Sequence, residues 1–296
     1  MTTRRRFLAI SAAFALSPAA ASAPVRWQGT ALGADATITL HGPEAEAWRA
    51  VEAVREVIET VESLFSLHRP RSAISELNRS GRLAPVPPDF LKLLKLADRL
   101  HRATGGRFDP TVQPLWVALA TGRTEPENRP NIGWHRVRVD GSEIALGSGQ
   151  ALTLNGVAQG YATDLVADLL ADRGFEEALV HLGEHRALGG PWRLALEDVV
   201  HGPIGIRTLT DRAIATSSPA ALPLGDAWSH ILDPTGERRP IWSTVSVEAS
   251  RAGIADGLST AFCLMSEDEI RAIRRSFPEM RRVTLVDATG NVRTQV

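Results

Sequence analysis

The sequence predicts an α+β fold, and three observations carry that prediction. Two long stretches, 44–65 and 89–104, repeat apolar residues at three- and four-residue steps, the period of an amphipathic helix. Several short stretches after residue 137 read as strands at hairpin-like spacing. The order of these segments lacks the regular strand–helix alternation of a parallel sheet, so a mixed, largely antiparallel sheet with packed helices is expected.

Taken in order, a strand is expected at 35–40, where Ala36, Ile38 and Leu40 alternate. The helix at 44–65 follows, with Trp48, Val51, Val54, Ile58, Val61 and Phe65 on its apolar face. The polar segment FSLHRPRSAISELNRSG, with Pro70 early and Gly81 last, reads as a loop and short helix. Pro87 and Pro88 open the helix at 89–104, which Gly105 and Gly106 stop. A Pro-rich link is expected at 124–130, then strands at 137–139 and 151–154. A helix starting close to Gly160, with Tyr161, Leu165, Val166, Leu169 and Leu170 apolar, leads to strands at 178–181, 192–196, 204–208, 213–217 and 244–250. One more helix is expected at 253–265.

The chain has 296 residues, 44% hydrophobic and 23% charged, with a formal net charge of −1, which is ordinary globular composition without the basic footprint of a nucleic-acid binder. Its start is a special case. TRRRFLAISAAFALSPAAASA has a charged head, an apolar run too short to span a membrane, and small residues, so residues 1–23 read as an export signal. Arg4, Arg5 and Arg6 followed by Phe7 and Leu8 fit its twin-arginine form, which implies a periplasmic destination for a single domain at 24–296. No Cys follows the apolar run, so an amino-terminal lipid anchor is not expected. Cys263 is the sole cysteine, which rules out an intramolecular disulfide and a cysteine metal cluster.

Three constellations invite chemistry. In NGVAQGYATDLVADLL, Gly156 and Gly160 strip side-chain bulk from a helix start whose amides lack helical partners; either an anion such as a phosphate or only a tight turn suits that stretch. In GIADGLSTAFCLM, Asp256 and Thr260 share one helix face and offer two hard oxygens, suited to Mg²⁺ beside substrate phosphates or to ordinary helix capping. In WSHILDPTGERRP, His230 precedes an Asp-Pro-x-Gly turn, where it serves as a base, a phosphate contact or a structural residue. His181 and His185 have metal-like spacing, but a strand running into a Gly turn should keep them off one face. Neither a Gly-x-Ser-x-Gly elbow nor a P-loop is present.

These stretches combine with others. FSLHRPRSAISELNRSG, TGGRFDPTVQPLW, LNGVAQGYATD, GEHRALGG, IATSS, SHILDPTG and ADGLSTA follow the order and spacing of the FAD:protein FMN transferases, the ApbE-like proteins, from about residue 27 to the end. The chain resembles that family. The resemblance implies an ApbE-like (T-fold-like) domain, exported, that binds FAD with Mg²⁺ and transfers FMN to a Thr or Ser hydroxyl of an acceptor protein, releasing AMP. It implies an acceptor among subunits of exported or membrane redox complexes. Some members instead hydrolyse FAD to FMN and AMP, and a non-catalytic flavin-binding protein is a third alternative. By residue, the resemblance puts the metal on a backbone oxygen at Gly156 or Ala158 and on Asp256 and Thr260. It puts flavin contacts on Leu32, His68, Arg107, Phe108, Asp109 and Ile231, with Thr153 and Gln159 in the Gly-rich motif. His230 or Asp109 would be the base.

The chain also departs from the family pattern. Where the motif is commonly Asp-Leu-Gly-Gly-x-Ala-Lys-Gly, it has Thr153, Asn155 and Gln159 at the Asp, first Gly and Lys positions. His68 replaces a flavin-stacking tyrosine, and Gly183-Glu184 stands where Gly-Gly is usual. The loss of the lysine removes a cation near phosphate. No Asp-Gly-x-Ser/Thr-Gly-Ala-Thr acceptor sequence occurs, so self-modification is not expected.

Overall fold

The structure, a computed structural model, describes residues 23–123, 129–225 and 227–295. Residues 1–22 of the expected export signal and residues 124–128 of the expected link lie outside the described residues.

The chain opens on a hairpin, β1 (Val25–Ala31) and β2 (Ala34–Leu40), followed by α1 (Glu44–Phe65), α2 (Ala73–Ser80), β3 (Arg82–Leu83), α3 (Pro88–Ala103) and α4 (Gln113–Ala120). Next come β4 (Arg138–Val139), β5 (Ile144–Ala145), α5 (Ala158–Asp172), β6 (Ala178–Leu182), β7 (His185–Leu188), β8 (Trp192–Asp198), β9 (Gly202–Leu209) and β10 (Ala213–Ser217). The small pair β11 (Pro223–Leu224) and β12 (Trp228–Ser229) precedes β13 (Thr244–Ala249), α6 (Ala252–Phe262), α7 (Glu267–Ile273), β14 (Met280–Val286) and β15 (Val292–Gln295).

Eight strands form the main sheet in the order β1-β2-β6-β7-β10-β13-β14-β15, and every neighbouring pair is antiparallel. The period-2 alternation of each strand sends its two sets of side chains to opposite faces. Ile38, Val180, Val247 and Leu285 point into the large core shared with α1, α5 and α6. Leu179, Ala187 and Ile214 point the other way, where the β8–β9 hairpin covers them with Trp192, Leu194, Leu196 and Leu209. A third small core joins Leu115 and Leu119 of α4 to Leu224 and Leu232. The α+β expectation holds. Among the described residues no helix is long and apolar enough to cross a membrane.

Several boundaries differ from the sequence expectation for physical reasons. Residues 151–154 join no ladder, because the Leu152 amide and carbonyl are taken by the Asn78 side chain and the Thr153 amide by the Pro110 carbonyl, leaving an extended loop. Trp48 is 43% exposed, since Ala47, Ala50 and Leu64 share the inward stripe of α1 instead. The helix expected at 253–265 is α6, which ends at Phe262, and a separate helix that was not expected, α7, follows it behind the Ser266 cap. α5 begins at Ala158, close to Gly160 as expected, but its inward stripe includes Ala162, Val166 and Leu170, with Tyr161, Leu165 and Leu169 only partly buried at the border. The ends of the main sheet, β1, β14 and β15, were not expected from periodicity, and neither was α4.

Candidate active site

The site is organised where α5 and α6 cross. Gly160 makes the crossing possible: a Cβ there would lie 2.4 Å from the Ala252 carbonyl oxygen and 2.7 Å from the Asp256 Cβ. At that contact the Gly160 amide donates to the Asp256 carboxylate at 2.9 Å, so the α5 start is capped by a side chain of α6. One turn along α6, Thr260 lies against the Gly156 loop, where an added Cβ would sit 3.0 Å from the Thr260 Oγ1. Gly156 therefore allows its backbone to approach the hydroxyl.

A cavity of about 330 Å³ opens on this junction. Every residue nominated from the sequence lines it: Leu32, His68, Arg107, Phe108, Asp109, Thr153, Gly156, Gln159, His230, Ile231, Asp256 and Thr260, with Ala158 beside them. Leu32 reaches the cavity from the β1–β2 turn, where it adopts a left-handed backbone with φ of 49° and its amide donates to Glu62. Arg107 lines the wall while its guanidinium bonds Asp233 at 2.8 Å, tying the loop after α3 to the Asp233-Pro234-Thr235-Gly236 turn. Asp109 has its Oδ1 engaged by the Thr111 amide at 2.8 Å and the Thr111 hydroxyl at 2.6 Å. His230 turns its Nδ1 to the Leu222 carbonyl at 3.3 Å, a contact that, if Nδ1 is the donor, makes Nε2 the basic nitrogen. The Gln159 side chain lies over Gly183, where a Cβ would be 2.6 Å from its Cδ.

Two buried carboxyls give the floor its electrostatic character. Burial pushes Asp256 up to about 7 despite the Gly160 amide, and the charge of Asp164 adds to the rise. Burial and the charge of Asp256 likewise raise Glu184 well above the ordinary carboxylate range, with one backbone bond from Thr216 opposing them. Among the described residues neither carboxyl has a lysine or arginine ion-pair partner. A buried carboxylate, a hydroxyl on the same helix face and an adjacent glycine loop form a donor set that suits a hard divalent cation. No group of three acidic, His or Cys side chains that could hold a metal occurs among the described residues. A cation on Asp256 and Thr260 would therefore complete its shell with backbone, ligand or water oxygens.

Sequence reasoning treated Glu184 only as a departure and did not reach Ser217 or Trp116, which also line the cavity. Ser217 sits 2.8 Å from the Ser259 hydroxyl and 3.4 Å from that of Thr260. A charged residue inside the apolar run ALVHLGEHRAL was the available signal for Glu184. The reading of the two histidines needs correction. The β6–β7 hairpin places His181 directly opposite His185, with rings stacked 4.1 Å apart, because a tight turn converts that spacing into a cross-strand pair. Burial pushes both imidazoles below their ordinary pKa.

Fold and cleft together define an α+β protein whose cavity joins an apolar wall to a floor of two buried carboxyls and a hydroxyl beside a helix start. The ApbE family model matches residues 32–284, and the chain belongs to that family. It is 29% identical over 252 residues to an FAD:protein FMN transferase of Vibrio cholerae serotype O1, covering 74% of each chain. It is 28% identical over 255 residues to one of Chlamydia trachomatis serovar D, covering 75% of this chain and 77% of that one. Among solved structures, the flavin transferase ApbE from Vibrio cholerae superposes with a TM-score of 0.80 at 26% identity, covering 92% of this chain and 96% of that chain. The ApbE protein of Thermotoga maritima, at 24% identity and a TM-score of 0.80 over 91% of this chain and 96% of that chain, matches in fold.

Proposed function

We propose that this protein is an FAD:protein FMN transferase that moves FMN from FAD to a Thr or Ser hydroxyl of an acceptor protein and releases AMP. The observation that carries the reading is the meeting of Asp256 and Thr260 of α6 with the Gly156 loop and the start of α5 on the floor of one cavity. The FAD:protein FMN transferase activity for which its relatives are named supports it.

In this reading the apolar wall of Leu32, Phe108 and Ile231 takes the isoalloxazine, and the helix start takes the pyrophosphate. Asp256, Thr260 and a backbone oxygen at Gly156 or Ala158 hold Mg²⁺, whose chemistry is to offset negative charge on the phosphate oxygens. The acceptor oxygen bonds to the FMN-side phosphorus, the bridging P–O bond breaks, and AMP leaves with that bridging oxygen. His230 accepts the hydroxyl proton. His230 is better placed for this than Asp109, whose Oδ1 already accepts two bonds from Thr111. The acceptor is a separate protein, an exported or membrane redox subunit, reached after twin-arginine export to the periplasm. Residues 24–296 act as one domain.

The test incubates the protein with FAD, Mg²⁺ and a protein bearing the acceptor sequence, then measures flavin fluorescence on the denatured acceptor and AMP release. Labelled acceptor and equimolar AMP are expected, and Asp256→Ala should abolish both while the melting transition survives. AMP without labelled acceptor would make the protein an FAD hydrolase; bound FAD with neither product would make it a flavin-binding protein.

A further inference from the structure

We propose that Asp164, which does not line the cavity, is the positioning residue that sets the place of Asp256 and Thr260; the inference rests on the metal reading above. The starting point is a missing cap. The residue preceding α6, Arg251, makes no side-chain cap to that helix, so the first amides of α6 need an acceptor from elsewhere. Asp164 of α5 supplies both oxygens, Oδ1 to the Ala252 amide at 2.9 Å and Oδ2 to the Gly253 amide at 3.0 Å.

This arrangement is the counterpart of the Gly160 contact. Gly160 and Asp164 lie one turn apart on α5, and Ala252 and Asp256 lie one turn apart on α6. Each helix therefore starts on a carboxylate of the other, and the two caps define how far and at what rotation the helices cross. Gly160 leaves no room for a closer or shifted crossing, since even a Cβ would strike Ala252 and Asp256. Asp164 is itself held by Arg186 at 2.9 Å and Arg251 at 3.3 Å, and it is almost wholly buried. Both arginines also bind Asp168, at 2.8 Å and 2.7 Å. Asp168 thus belongs to the same charge network but makes no bond to an α6 amide. Without the Asp164 cap, the first turn of α6 would be free to shift, and Asp256 on the next turn would lose its register with the Gly156 loop.

Asp168 provides the control that separates positioning from general stability. In the wild-type protein with FAD and no acceptor, free Mn²⁺ is followed by electron paramagnetic resonance during titration. Asp164→Asn is expected to weaken Mn²⁺ binding by about ten-fold, whereas Asp168→Asn should change it by less than about two-fold. The transfer assay should show the same split, with the Mg²⁺ requirement of Asp164→Asn raised and most of the rate recovered at saturating Mg²⁺. Melting curves establish that each variant folds. If Asp164→Asn does not fold, Asp164→Glu, which keeps the charge and displaces it by one methylene, is held to the same comparison. Equal effects of the Asp164 and Asp168 variants on Mn²⁺ affinity, including no effect from either, would overturn the proposal and leave Asp164 a stability residue. Failure of the wild-type protein to bind Mn²⁺ in the presence of FAD would overturn the metal reading first and this inference with it.

Discussion

Gln159 stands at the position where the family pattern has a lysine, and its amide lies on Gly183, next to the buried Glu184. A lysine there would bring a cation to a floor that otherwise holds two buried carboxyls whose charged forms burial disfavours. Gln159→Lys is therefore expected to raise FMN transfer several-fold at limiting Mg²⁺, read as labelled acceptor per minute, and an unchanged rate would make that lysine dispensable here. Leu32 illustrates a different residue-scale constraint. Its left-handed backbone is unfavourable for a branched apolar side chain, and it occurs where the β1–β2 turn meets the cavity wall. Composition and periodicity had no means of exposing that strain.

At the scale of elements, the close crossing of α5 and α6 predicts a sharp response to added bulk. Gly160→Ala drives a methyl into backbone, 2.4 Å from the Ala252 oxygen, so unfolding in urea should show a loss of about 2–3 kcal/mol. A loss below half a kilocalorie would mean that the helices separate freely. α7 offers a pH-dependent case away from the site. Its capping box pairs the Ser266 hydroxyl with the Glu269 amide, and the Glu269 carboxylate with the Ser266 amide and Arg238 at 2.7 Å each. The bond from Arg238, followed by that from the Ser266 amide, holds the Glu269 carboxyl down at about 2 against an ordinary 4.5. A depressed folded pKa means that the charged form is the stabilised one, so the contribution is complete above pH 4.5 and fades as pH falls towards 2. Glu269→Gln should lower the melting temperature at pH 7 and converge on the wild type near pH 2. Because the pair is partly exposed, the difference should also shrink in high salt.

For the whole molecule, the sheet order explains why residues distant in sequence share one cavity. β6, β7 and β10 lie between β2 and β13, so the Leu32 turn, the Gly183-Glu184 turn and the end of β10 are brought towards the crossing of α5 and α6. The proposed twin-arginine route is tested at this scale. Replacing Arg4 and Arg5 by Lys should leave the protein in the cytoplasm, as measured by fractionation and signal processing. Normal processing of that variant would remove the twin-arginine reading.

Much of this was legible in the sequence, for reasons that differ between features. α1 and α3 declare themselves because their apolar residues recur at the helical period, and Gly105 and Gly106 stop α3 by local backbone chemistry. Gly156, Gly160, Asp256, Thr260 and His230 drew notice because short motifs with glycine, acidic, hydroxyl and imidazole side chains have a chemical meaning that survives without coordinates, whereas Leu32, His68, Arg107, Phe108, Asp109, Thr153, Gln159 and Ile231 came only from the family resemblance. What periodicity missed depends on partners elsewhere in the chain. Residues 151–154 are extended yet belong to no sheet because the Asn78 side chain and the Pro110 carbonyl occupy their hydrogen bonds. His181 and His185 became neighbours only when the hairpin closed. The sequence by itself determined the α+β character and the glycine, carboxylate, hydroxyl and imidazole groups of the cleft, since these follow from local spacing and residue type, while its apolar wall was legible only through the family resemblance. Only the tertiary structure decided the reciprocal capping of α5 and α6, because a cap between distant helices is set by long-range contact and leaves no periodic trace.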